Sequence, residues 1–201
     1  MSIQSDVQVG FIADENAADP DRLVTAARPN TSATMAETTF LGGGARNVTV
    51  TTTGTSDNAK TCTITGTDVF GNAITEVIVS TGSAEAVAGA KLFLTVSAVE
   101  CSAQYAANIT VGSGSLCASA VSGGNRTRMK GYSIVSAGTA GLVDFYNGTP
   151  EDGTIIFKAQ TLGTDNTTID NTIPDEGLLF GSGLTVGYTV ATVVLANIFF
   201  A

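Results

Sequence analysis

Two groups of carboxylates lie close enough along the chain to act as pairs: Asp144, Glu151 and Asp152, and Asp170, Asp175 and Glu176. Two carboxylates flanking a bond are the machinery of glycoside hydrolysis. Each group also lies within or beside a stretch of Gly, Pro and Asn, where acidic residues serve the turn itself. With no Trp and 4 Tyr there is little from which to build a sugar-stacking platform. Asp165, Asn166 and Asp170 offer hard oxygen ligands near a turn, as calcium prefers, but without the alternating acidic order of a calcium loop. The absence of His removes the Ser-His-Asp and Cys-His nucleophile arrangements and every His-ligated metal site. Gly42 to Arg46 superficially resembles a phosphate loop, yet lacks the Lys-Ser/Thr ending and a following helix. The 3 cysteines, Cys62, Cys101 and Cys117, include no Cys-x-x-Cys pair and read as small buried hydrophobes. The expectation is a non-enzymatic chain with no catalytic residues, no cofactor and no metal.

Composition points the same way. Of the 201 residues, 43% are hydrophobic and only 13% are charged, about half the usual share. Thr, Ser, Gly, Ala and Asn take the place of the missing charge. Such side chains face water or a protein neighbour at low desolvation cost, which suits a surface that spends its life against other proteins. The net charge is −9 and the 9 basic residues form no run, so no phosphate-neutralising groove is expected and nucleic acid is an improbable partner. No stretch reaches the ~18 apolar residues of a membrane helix. Met1 to Asp6 carries no basic n-region and no apolar h-region follows, so synthesis in a cytoplasm, without membrane association, is expected.

The elements that would position any site are strands. From Asn47 to Thr53, and again from Thr61 to Thr67, apolar and polar residues alternate with period two. A turn, Asp68 to Asn72, follows, with Gly71 available for positive φ, and Ala73 to Ser80 returns as the hairpin partner. Lys91 to Ser97 and Ala107 to Gly112 continue the series, and residues 83–90 suit one helical turn. Gly112 to Gly124, rich in Ser, Gly and Ala, reads as a boundary. Beyond it, strands are predicted over 131–136, 141–146, 154–159, 167–171, 184–189 and 191–200. Many short strands at close spacing indicate an all-β chain of β-sandwich or jelly-roll modules. Residues 1–40, with the acidic stretch Asp14 to Asp21, lack clear alternation and read as an extended N-terminal arm. The predicted organisation is an arm over 1–40, a first β module over 41–122 and a C-terminal module over 123–201.

Thr63 to Glu76, Lys91 to Val96 and Asn108 to Gly112 together resemble a segment recurrent in structural proteins of tailed bacteriophages, marine and cyanobacterial phages among them. The second half resembles the module that often follows it. Gly124 to Tyr132 matches its Arg-rich opening, and Ile173 to Phe180 its Ile-Pro-x-x-Gly-x-x-Phe pattern, followed by Gly183 and a terminal apolar strand. The likeness covers roughly residues 40–201. It implies a virion component on the capsid exterior, with capsid decoration (cement) favoured, the major capsid protein as partner and a homotrimer as the assembly. A tail, neck or fibre-base protein, or a host-surface adhesin or sugar-binding module, stays open as an alternative. The interface candidates are Leu23, Val24 and Arg28 in the arm, Val69 and Phe70 in the turn, and Phe199 and Phe200 on the last strand. For the arm, the expectation is that its deletion abolishes capsid binding and leaves the β modules folded.

Overall fold

In the computed structural model, residues 7–13 and 17–201 are described. Met1 to Asp6 and the acidic Asp14 and Glu15 of the predicted arm lie outside the described residues. The chain is all-β: among the described residues the regular elements are strands and one 3-10 turn, Val190–Thr192. It divides into two compact units, Asn16–Cys117 and Ala118–Ala201, the latter completed by the N-terminal segment Met1–Glu15.

The first unit contains β2 (Val24–Ala27), β3 (Ala45–Thr52), β4 (Thr61–Thr67), β5 (Ala73–Val79), β6 (Ala86–Phe93), β7 (Thr95–Cys101) and β8 (Ile109–Ala120) as far as Cys117. β5, β4 and β7 form a three-stranded sheet, while β2, β8, β3 and β6 pair alongside one another. The alternation read in the sequence becomes burial here: Cys62 and Ile64 of β4, Ile78 of β5, and Val96 and Val99 of β7 point into one core, and the intervening Thr residues point outward. The predicted hairpin turn has Gly71 at φ 85°, and Asp68 closes it by accepting from the amides of Phe70 (2.8 Å) and Asn72 (2.9 Å).

Two sequence expectations are corrected in this unit. Residues 83–90 form no helical turn; they lead into β6, where Ala and Gly sit on an edge. The division between the two units, at Cys117 and Ala118, falls within Gly112 to Gly124, and β8 runs through it as a strand. Its glycines mark close approach: a Cβ at Gly112 would strike the backbone of Asp19 to Asp21, and one at Gly114 the side chain of Asn47. Residues 17–40 are not a detached arm. Leu23, Val24 and Phe40 belong to the core. Leu23 N–H donates to the Val111 carbonyl (2.8 Å), Ala33 N–H to Val99 (2.9 Å), and the Thr38 carbonyl accepts from Val96 N–H (2.8 Å).

Two buried charges fasten the unit. The Arg46 guanidinium, 1% exposed, donates to the Gly114 carbonyl through Nε (3.2 Å) and Nη2 (2.8 Å). Beside it, Asn47 donates to the Gly89 carbonyl (3.1 Å) and accepts from Leu116 N–H (3.0 Å), bridging β6 and β8 across β3. Asp57, wholly buried, accepts from the Ala106 amide (2.7 Å), the Ala107 amide (3.2 Å) and the Lys60 ammonium (2.7 Å). Burial alone would raise its carboxyl pKa, but those donors together outweigh burial and hold it below the usual value.

The second unit contains β1 (Gln8–Ala13), the last residues of β8, β9 (Thr127–Ser136), β10 (Leu142–Asn147), β11 (Thr154–Gln160), β12 (Thr168–Thr172), β13 (Leu178–Phe180), β14 (Leu184–Thr189) and β15 (Val193–Phe200). One sheet runs β1-β15-β9-β12, with β13 also on β9; β11, β10 and β14 pair in that order. Tyr132 of β9 meets Phe145 of β10 and Phe157 of β11, all three ring centroids 5.5–5.7 Å apart in tilted contact, so aromatic packing joins the two sets of strands.

Removing residues 17–40 is therefore expected to unfold the first unit, seen as loss of its cooperative urea transition, because the segment carries core side chains. Asp57→Ala should cost about 2–4 kcal/mol in urea denaturation, since it leaves two amides without their acceptor and removes the Lys60 ion pair. Because the folded Asp57 pKa is lowered, its contribution is full above the ordinary carboxyl pKa of about 4 and drains away as pH falls through the folded value. Asp57→Asn should accordingly lose less stability on acidification than the parent chain.

Candidate functional site

The carboxylates that suggested hydrolysis are occupied or dispersed. Asp144 on β10 is ion-paired with Lys158 on β11 (3.1 Å), the residue opposite it in register. Tyr146, two residues along the same face, has its hydroxyl pKa raised by burial and by the negative charges of Asp144 and Glu151, so the structure does bring these three together. Asp152 is exposed in the turn before β11. Glu176 pairs with Arg128 (3.0 Å), Asp175 holds a turn at φ 57°, and Asp170 is exposed on β12. Of the calcium candidates, Asn166 is likewise a turn residue, at φ 60°. Among the described residues no group of three or more His, Cys, Asp or Glu could hold a metal ion. The glycine run before Arg46 presents no cation to a phosphate, because the guanidinium is spent on Gly114.

The interface candidates fall in different environments. Leu23 and Val24 are fully buried in the core of their own unit, so neither is presented to a neighbour. Arg28 is exposed, but its guanidinium donates to the Tyr105 carbonyl (3.3 Å through Nε), and Gln104 donates back to the Arg28 carbonyl (2.9 Å). Val69 is buried and Phe70 half-buried in the β4–β5 turn. Phe200 faces inward, 8% exposed, whereas Phe199 is half-buried on the opposite face of β15.

Phe199 adjoins an exposed apolar surface on β1. β1 pairs with β15 so that Val9 lies opposite Phe199 and Phe11 opposite Asn197. Alternation along β1 sends Ile12 into the core and leaves Val9 and Phe11 outside, 55% and 67% exposed, with Val7 on the same side. Leu195 on β15 and Val135 on β9, opposite each other in register, continue that face as half-buried residues. β1 is the outermost strand and contains no charged residue and no Pro. The other edge strand, β12, carries Asp170 among Thr and Asn. Edge strands are ordinarily protected by charge, Pro or a covering element, so the two edges of this sheet are built differently. The sequence signal was present: Val7, Val9 and Phe11 alternate, but over too few residues to stand out from the polar segment around them. On the same sheet, a groove of about 420 Å³ lies over Gly131 and Ser133, lined also by Phe199, Asp170 and Thr172.

A second exposed apolar pair, Val77 (55%) and Val79 (49%), lies on the edge strand β5. There, Thr61 and Thr63 of β4 flank the valines in register, giving a Thr- and Val-rich face.

Comparison with known proteins gives no match to any protein-family model, any curated protein or any solved structure at a significant level.

Replacing Val9 and Phe11 together by Ser is expected to lower binding of a hydrophobic reporter dye. The unfolding free energy from urea denaturation should change by no more than about 0.5 kcal/mol per site, as for exposed positions generally.

Proposed function

We propose that this chain is a structural component of a phage virion and works as a capsid decoration (cement) protein, a homotrimer that binds the major capsid protein where capsomers meet. The observation that carries this reading is the uncharged apolar stripe of β1, Val9 and Phe11 beside Phe199, where Phe11 is the most exposed large hydrophobic side chain among the described residues. An apolar stripe at a sheet edge, with a charge-poor surround, suits permanent contact with another protein. The resemblance of residues 40–201 to tailed-phage structural modules supplies the setting.

The mechanism is mechanical. Each copy buries a modest apolar area on the shell. Repetition at many symmetry-related sites, with several contacts per trimer, converts weak individual contacts into tight retention. The exposed β1 side chains act as anchors because aromatic and branched residues bury large area per residue. Within the predicted arm, Val9 and Phe11 make this contact, whereas Leu23 and Val24 are committed to the core of the first unit.

Quantitative mass spectrometry of purified virions tests the role directly: a copy number close to that of the major capsid protein is expected. A trace amount moves the protein to the tail or neck, and complete absence ends the virion reading. Phe11→Asp should weaken binding of the purified chain to capsids lacking it by tenfold or more, a loss of about 1.4 kcal/mol, with the thermal transition unchanged.

A further inference from the structure

We infer that Cys62 and Cys101 are a peroxide-oxidisable pair that closes into a cross-strand disulfide within the folded first unit. This goes beyond the proposed function and does not rest on it. The two residues are direct partners in the β4–β7 register, and their Sγ atoms are 3.7 Å apart. They occupy a non-hydrogen-bonded position of the ladder. Ser102 N–H donates to the Thr61 carbonyl (3.0 Å), which makes the adjacent pair the hydrogen-bonded one, and Cys101 N–H turns away from β4 to the Thr31 carbonyl. At such positions facing Cα atoms are about 4.5 Å apart, inside the range a disulfide spans, so side-chain rotation closes the bond without moving the strands.

The surroundings prepare one sulfur for attack. The Cys101 thiol and the Tyr105 hydroxyl (3.3 Å) both reach Cys62 Sγ, and Ser80 Oγ holds the Tyr105 hydroxyl at 3.0 Å. Hydrogen bonding from Cys101 and Tyr105 holds the Cys62 thiol below its ordinary pKa against the opposing effect of burial. Cys62 is fully buried and Cys101 is 8% exposed, so the oxidant that fits is a small peroxide. In the first step the Cys62 thiolate attacks one peroxide oxygen; the O–O bond breaks, hydroxide leaves, and Cys62 becomes a sulfenic acid. Cys101 sulfur then attacks Cys62 sulfur, and the sulfenic oxygen leaves as water with the Cys101 proton. Two thiols are oxidised to one disulfide and one hydrogen peroxide is reduced to two waters. Cys117, on β8 and 1% exposed, donates to the Ser115 carbonyl (3.8 Å) and takes no part.

The test treats the purified full chain with hydrogen peroxide and reads intact mass, non-reduced peptide maps and the thermal midpoint. The expected result is loss of two hydrogens, a single Cys62–Cys101 linkage, an intact Cys117 thiol, and a midpoint raised by roughly 5–10 °C that dithiothreitol reverses. Cys117→Ser should behave identically, and Cys101→Ser should yield oxygen adducts on Cys62 in place of the mass loss. The inference is overturned if the parent chain gains oxygen at Cys62 while Cys101 stays a thiol. It is equally overturned if both sulfurs stay reduced while methionine oxidises, or if linkage forms only between chains.

Discussion

A guanidinium with almost no access to water must have its donors satisfied, and that requirement organises the first unit. Arg46 donates to the Gly114 carbonyl with two of its nitrogens, and Asn47 fixes the same stretch of β8 from the neighbouring position. An unpaired buried charge costs several kcal/mol, so β8 cannot slide or peel from β3 without paying that penalty. The same closeness explains why β8 is written in Gly, Ser and Ala: larger side chains would push Asn47 and the Asp19 to Asp21 backbone away. The chain before β2 can then lie against β8 and drop Leu23 and Val24 into the core.

The division of labour between sheet faces follows from this frame. Inward positions carry Val, Ile, Cys and aromatic rings; outward positions mix Thr and Ser, which tolerate water and protein contact alike, with a scatter of exposed Val, Leu and Ile. Charge is used sparingly, and where it is buried it ties loops, as Asp57 does between the β3–β4 loop and Ala106 and Ala107. On such a background the apolar run of β1 stands out more than it would on an ordinary charged surface, and Phe199 extends it onto the next strand.

How much of this could be read from the residues depended on how local the determining contacts are. Thr61 to Thr67 announces itself, because each side chain goes in or out by parity alone, and its burial alternates without exception. The hairpin turn at Asp68 to Asn72 is equally local: one carboxylate and one glycine decide it. Residues 17–40 gave no such pattern, since their place is set by hydrogen bonds to β7 and β8, far along the chain. That the boundary segment is also a strand, β8, was hidden for the opposite reason: its small residues report what lies beside them, not what they themselves prefer. The pairing of Cys62 with Cys101 needed the β4–β7 register, which no spacing of cysteines supplies. The aromatic surface at β1 was hidden by shortness, with three exposed apolar positions in a segment otherwise unlike a strand.

The pairing of the first described strand with the last has a consequence for how the chain is made. Gln8 of β1 finds its partner in Phe200 of β15. At about 5–20 residues per second, a ribosome delivers β15 on the order of ten seconds or more after β1 has emerged. The first unit can close during that interval, since all its strands lie between the two. β1 meanwhile waits as an uncharged apolar segment with no ladder to join, so the same residues that make a good surface in the finished protein are its most aggregation-exposed stretch during synthesis.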